Sequence, residues 1–98
     1  MYEIISMKMH EVYILQSQKK LRFYIGVTGD IEQRLKKHNS GSSKSTKPYR
    51  PWVVVYTEAF SDKSEAFKRE YYLKQPEGYK EKRNIIKENQ LDLEYEDR

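Results

Sequence analysis

Glu11-Val12-Tyr13-Ile14-Leu15-Gln16-Ser17-Gln18-Lys19-Lys20-Leu21-Arg22-Phe23-Tyr24-Ile25-Gly26-Val27 decides the fold. Two β-rich runs, Val12 to Leu15 and Arg22 to Val27, flank the polar turn Ser17 to Lys20, which reads as an antiparallel hairpin. With Ser17 to Lys20 as the loop, Gln16 faces Leu21. Ile14 then pairs with Phe23, Tyr13 with Tyr24, Val12 with Ile25, and Glu11 with Gly26. Alternation puts Val12, Ile14, Phe23 and Ile25 on one side, and Tyr13, Tyr24 and Gly26 on the other. A tyrosine pair of this kind stabilises a sheet by about 0.2–1 kcal/mol. A glycine inside a strand, however, often marks close approach by a ligand or another backbone. Two phenols beside Gly26 therefore read as the floor of a site.

Outward from the hairpin, Thr28-Gly29 ends the second strand and Asp30 offers an N-cap with Gln33 three residues on, so a helix is expected over 31–39. Ile31, Leu35 and His38 form its inner stripe, Arg34 lies one turn before His38, and Lys36 and Lys37 point outward. Ser42 to Pro51 reads as a polar loop that is mobile or contacts a polyanion backbone, and Trp52 to Glu58 as a third strand, central or well covered because it is apolar on both faces. A second helix capped by Ser61 runs from Asp62 or Lys63 to Lys74, where Pro76 stops it. Its stripe Ala66, Phe67, Glu70, Leu73 sets a carboxylate on a packing face, which is costly unless it is paired or binds a cation; Lys74, four residues on, is the ordinary partner. Tyr79 to Asn89 is the expected third helix. These elements make an α+β chain of one domain over 11–90, with an extension over 1–10, an added edge strand or a frayed leader, and an acidic, disordered tail over 91–98.

No cysteine is present, so disulfides and thiolate metal sites are excluded, and a cytoplasmic location is expected. No stretch has the apolar length of a signal peptide or membrane span. The last nine residues set Asp92, Glu94, Glu96 and Asp97 against Arg98, so the formal +4 of the chain becomes +7 on the preceding body. Arg34 to Arg50 holds six cations and no acid, which suits a polyanion. Aromatic content of 13% favours an ordered chain over a disordered basic arm. Phosphate-cradling glycine loops, Ser/His/Asp sets and paired-histidine metal spacings are missing.

Val12-Tyr13-Ile14, Tyr24-Ile25-Gly26, Arg34-Leu35-Lys36-Lys37-His38-Asn39-Ser40-Gly41, Arg50-Pro51-Trp52 and Ser64-Glu65-Ala66-Phe67-Lys68-Arg69-Glu70 occur in that order. Together they resemble the GIY-YIG nuclease family, in its small single-domain bacterial form, over roughly 11–74. Glu11 stands where the first motif begins with glycine. The resemblance implies a three-stranded antiparallel sheet flanked by about three helices, and Mg2+- or Mn2+-dependent hydrolysis of nucleic acid, DNA in the first instance. By the same resemblance Tyr13 and Tyr24 are the catalytic tyrosines, Arg34 binds phosphate, His38 assists, and Glu70 is the single protein ligand of the metal. Gly26, Lys37, Lys44, Lys47 and Arg50 are the expected nucleic-acid contacts. A phenol of pKa near 10 is a poor base, but a neighbouring cation favours its anion, so Tyr13 is expected to take a proton from attacking water.

Overall fold

The computed structural model describes residues 8–95. Strand β1 spans His10–Ser17, β2 Phe23–Thr28 and β3 Trp52–Phe60; helices α1, α2 and α3 span Ile31–Ser40, Lys63–Lys74 and Tyr79–Asn89. The sheet has the order β2-β1-β3, with β1 antiparallel to both neighbours. The α+β architecture read from the sequence is therefore the observed one. Of the expected N-terminal extension, residues 1–7 lie outside the described residues and His10 already belongs to β1.

The central strand is β1, not the third strand. Val12 to Ser17 are all fully buried, including the polar Gln16 and Ser17, whereas β3 takes the outer edge and is covered on its faces by helices. Two polar residues hid this burial, because their partners come from distant chain. Gln16 exchanges hydrogen bonds with the backbone of Leu91 and donates from its amide nitrogen to the Tyr95 hydroxyl at 2.9 Å, while Tyr95 donates its own proton to the Ser17 carbonyl. Residues 91–95 of the expected tail thus lie against the end of β1; 96–98 fall outside the described residues.

The hairpin register differs from the expected one by two residues. Tyr13 pairs with Gly26, Ile14 with Ile25 and Leu15 with Tyr24. Ser17 N–H donates to the Arg22 carbonyl at 2.9 Å, and the Ser17 hydroxyl accepts from the N–H groups of Lys19 and Lys20, so the turn closes one residue later on each strand. A shift of two keeps every side chain on its face. Tyr13, Leu15, Tyr24, Val54 and Trp52 meet Ile31 and Leu35 of α1 on one face. On the other, Val12, Ile14 and Ile25 meet Ala66 and Leu73 of α2 and Ile85 and Ile86 of α3.

Local chemistry sets the helix ends. Asp30 accepts from Gln33 N–H at 3.2 Å, and Gly41 at φ +84° closes α1, a left-handed position that a β-carbon disfavours. Asp62 rather than Ser61 caps α2, because its carboxylate reaches both the N–H and the hydroxyl of Ser64 at 2.9 Å. Arg69 joins three elements: its Nε and one terminal nitrogen grip Glu58 of β3 at 2.7 and 3.2 Å, and it also binds Glu81 of α3. That pairing holds the Arg69 pKa above its ordinary value and the Glu81 carboxyl below its own.

Candidate active site

The site lies at the β2 edge of the sheet, on the α1 face, where α2 comes alongside. Its innermost part is a buried chain of hydrogen bonds. The Tyr13 hydroxyl is 3.0 Å from His38 Nε2, and His38 Nδ1 is 2.9 Å from the Thr46 hydroxyl; Tyr13 has no exposed surface, and His38 and Thr46 almost none. Thr46 donates its own proton to the Ser43 carbonyl in a long 3.5 Å bond, so toward the imidazole it is an acceptor. This arrangement fits a neutral His38 protonated on Nδ1, with Nε2 accepting from Tyr13.

A second circuit holds this chain in place. Asn39, next to His38, bonds the Trp52 backbone in both directions, at 2.7 and 3.0 Å, and the Trp52 indole donates to the Thr46 carbonyl at 2.9 Å. The loop expected to be mobile or to contact a polyanion backbone is clamped at Thr46. Lys44 and Lys47 remain exposed, whereas Arg50 binds the Lys47 carbonyl at 3.0 Å and packs over Gly41. Thr46 and Asn39 were missed as site residues, since each acts on a partner visible only after α1, the loop and β3 converge.

Gly26 has a specific role in this geometry. A β-carbon there would lie 2.5 Å from the Tyr13 hydroxyl oxygen and 2.6 Å from Cζ. Gly26 is itself buried, so the group that approaches it is the Tyr13 phenol, rather than the nucleic acid suggested by its sequence context.

Around this buried pair stand Tyr24, Arg34 and Glu70, all partly exposed. The Tyr24 ring centroid is 4.8 Å from that of His38 and 6.2 Å from that of Tyr13. On α2, Lys74 Nζ lies 2.9 Å from Glu70 Oε2 and 5.9 Å from the Tyr24 ring centre. Phe67, expected on the inner stripe, is 47% exposed. It borders a cleft of about 250 Å3 with Lys63, Val27 and Arg34. A larger cleft of about 640 Å3 shares Arg34 and Lys8 with it and continues along α1 past Lys36 and Lys37. Arg34 thus joins the tyrosines to a basic trough, and Lys37 lies on that trough as expected, with Lys8 and Lys63 as contributors the motifs did not indicate.

Burial pushes the Tyr13 phenol well above its ordinary value, with Tyr24 and, more weakly, Glu70 adding to the rise and the Arg34 guanidinium opposing it. Burial, then Arg34, pushes the His38 imidazole below 6.5. The expected phenolate at Tyr13 is thus disfavoured in this protein: at neutral pH both groups are uncharged, with a proton donor facing an acceptor.

For a metal, Glu70 offers the oxygen chemistry that Mg2+ or Mn2+ takes, already facing a cation at Lys74. Among the described residues no group of three or more His, Cys, Asp or Glu is placed to hold an ion. One carboxylate completed by waters and phosphate oxygens suits Mg2+, and is a poor match to zinc, which takes three or four protein ligands.

The chain belongs to the GIY-YIG family: the GIY-YIG catalytic domain matches residues 9–84. This is a catalytic domain of nuclease type. The UPF0213 protein SH2523 of Staphylococcus haemolyticus is 48% identical over 69 residues, covering 69% of this chain and 83% of that protein. The UPF0213 protein VNG_2274C of Halobacterium salinarum is 40% identical over 68 residues, covering 68% and 87%. Among solved structures, the solution NMR structure of the UPF0213 protein BH0048 of Bacillus halodurans matches with a TM-score of 0.51 and 36% identity, over 84% of this chain and 87% of that one. No helix among the described residues is long and apolar enough to cross a membrane.

Proposed function

We propose that this protein is a divalent-metal-dependent endonuclease that hydrolyses DNA phosphodiester bonds, with Tyr13, Tyr24, Arg34 and His38 as catalytic residues and Glu70 as metal ligand. The observation that carries the reading is the Tyr13–His38–Thr46 chain, a poised proton path ending beside an arginine at the head of a basic trough. The trough, with Lys37 on its wall, seats the backbone electrostatically, and the exposed Lys44 and Lys47 extend the cationic surface. The Arg34 guanidinium, which lies beside the Tyr13 phenol, takes the non-bridging oxygens of the scissile phosphate, and its movement toward them would open the buried hydroxyl to water. Attacking water then gives its proton to the Tyr13 oxygen as Tyr13 gives its own to His38 Nε2, so a phenolate of unfavourable pKa never accumulates. The new bond forms between water oxygen and phosphorus, the bond to the leaving oxygen breaks, and the abstracted proton rests on His38. Thr46 holds the imidazole in the accepting tautomer, and Tyr24 orients the water. Glu70 would hold a divalent cation, which would supply positive charge to the phosphate and the leaving oxygen.

The test is incubation of pure protein with supercoiled, single-stranded and branched DNA in Mg2+ or Mn2+. Cleavage is expected, with a loss of about a hundredfold or more on Arg34→Ala, the size seen when one transition-state donor is removed. Cleavage unchanged by Arg34→Ala or Glu70→Ala overturns the mechanism. A second reading, a nucleic-acid-binding module of the same fold without turnover, draws on the complete burial of Tyr13 and the Lys74 pairing of Glu70. It predicts salt-sensitive DNA binding with no cleavage in either metal.

A further inference from the structure

A groove on the reverse face of the sheet takes no part in this chemistry. Phe23 and Tyr24 are consecutive on the edge strand β2, and their side chains leave on opposite faces; Tyr24 enters the site, whereas Phe23 forms the floor of a groove of about 660 Å3 beside α3. Tyr79 forms one end of it, and Lys80, Arg83 and Lys87 follow along its wall. These three cations recur at spacings of three and four, and so share one helix face. No acidic residue lines the groove, and Glu81 is drawn away to Arg69 on α2.

The groove ends in an open aromatic ring. Tyr79 is 52% exposed, and its ring centre lies 5.3 Å from Lys82 Nζ and 5.9 Å from the Arg83 guanidinium carbon. A packing tyrosine would be covered, and a patch serving only phosphates would need no aromatic plane. An open ring flanked by cations, above an apolar floor, offers a stacking surface for a base beside charges for its backbone. The volume is in the range of sites that seat one small ligand, enough for one or two bases. Lys80 to Lys87 rise about 10 Å along the helix, so the three cations form a row that can follow a phosphate backbone.

We propose that this α3 groove is a second binding surface, which takes a single-stranded DNA segment with a base on Tyr79 and phosphates on Lys80, Arg83 and Lys87. The surface goes beyond the cleavage reading, because its binding needs neither metal nor Glu70. Its place across the thickness of β2 from Tyr24 lets one strand pass over the sheet edge and engage both.

The experiment is fluorescence anisotropy of a labelled oligothymidylate and of a duplex of matched length, in EDTA, over a range of salt. Tyr79→Ala is expected to weaken single-strand binding about five- to a hundredfold while leaving duplex binding unchanged, and Tyr79→Trp to restore it. Replacing Lys80, Arg83 and Lys87 by alanine is expected to flatten the single-strand salt slope by about 2. Arg34→Ala and Glu70→Ala are expected to retain the Tyr79 dependence, which separates this surface from the cleavage site. Single-strand binding indifferent to Tyr79 and to the three cations overturns the proposal, as does a Tyr79→Ala loss of equal size on the duplex. Tyr79 is exposed at the first turn of α3, so its substitution leaves the core intact, and a thermal melt verifies this.

Discussion

Substituting Gly26 by alanine tests the geometry on which the proposed site depends. The backbone accepts the change, since Gly26 does not have positive φ, and the nearest obstacle is the Tyr13 phenol. Moving from 2.5 Å to an ordinary contact of 3.4 Å requires the phenol to retreat by about 0.9 Å. Tyr13 is fully buried, so that retreat overpacks its neighbours, at about 1–3 kcal/mol. It also stretches the 3.0 Å bond to His38 out of range unless the imidazole follows, a further loss of about 0.5–1.5 kcal/mol. Reduced freedom of the unfolded chain returns about 0.4–1 kcal/mol. The net destabilisation is about 0.5–4 kcal/mol, or a fall in Tm of about 2–30 °C for a domain of this size. Thermal and urea unfolding followed by circular dichroism measure it. In a Tyr13→Leu background, whose side chain stops short of the phenol end, the same Gly26→Ala change is expected to cost nothing, so a double-mutant cycle isolates the clash. A Gly26→Ala protein as stable as the parent, or an equal cost in both backgrounds, would refute the account of why this glycine is here.

Thr46→Val keeps the shape of the side chain and removes the acceptor for His38 Nδ1–H, with an expected cost of about 1–3 kcal/mol. The ring 15N shifts of His38 are expected to move from a single Nδ1-protonated form toward a mixture, with Thr46→Ser restoring the parent pattern; unchanged shifts in the valine variant remove Thr46 as the group that positions the imidazole. The buried imidazole also links stability to pH. Its folded-state pKa lies below 6.5, so the unfolded chain binds more protons in the window between the two values. The contribution is fully present above about pH 6.5 and is lost as pH falls from there through the folded value. Melting temperatures between pH 5 and 7.5 are expected to fall on the acid side in the parent, and to fall less in His38→Gln; parallel profiles contradict a neutral buried His38.

Much of the fold was legible because it depends on local periodicity. Alternation in the hairpin, the caps at Asp30 and Gly41, and the stop at Pro76 act over a few residues, so α1 and α3 lie where their patterns put them and the faces of the hairpin were read correctly. The two-residue register shift escaped because either register buries the same side chains, and the choice between them belongs to the Ser17 turn bonds. Strand order escaped for a related reason. Gln16 and Ser17 lower the apparent hydrophobicity of β1, and only Leu91, Tyr95 and Tyr49, arriving from elsewhere in the chain, satisfy them and permit their burial.

The candidate site divides along the same line. Its residue types were present in the sequence: two tyrosines beside a glycine, an arginine and histidine one turn apart, and one carboxylate on a packing face. Their states were decided by tertiary structure. Burial keeps the Tyr13 phenol neutral instead of the anion a neighbouring cation would favour, Thr46 engages His38 Nδ1, and the Tyr13 ring occupies the space over Gly26. Local sequence thus determined the elements, their faces and the chemical groups available. Desolvation and hydrogen bonding between residues far apart in the chain decided protonation and contact, because both depend on the surroundings that the fold brings together.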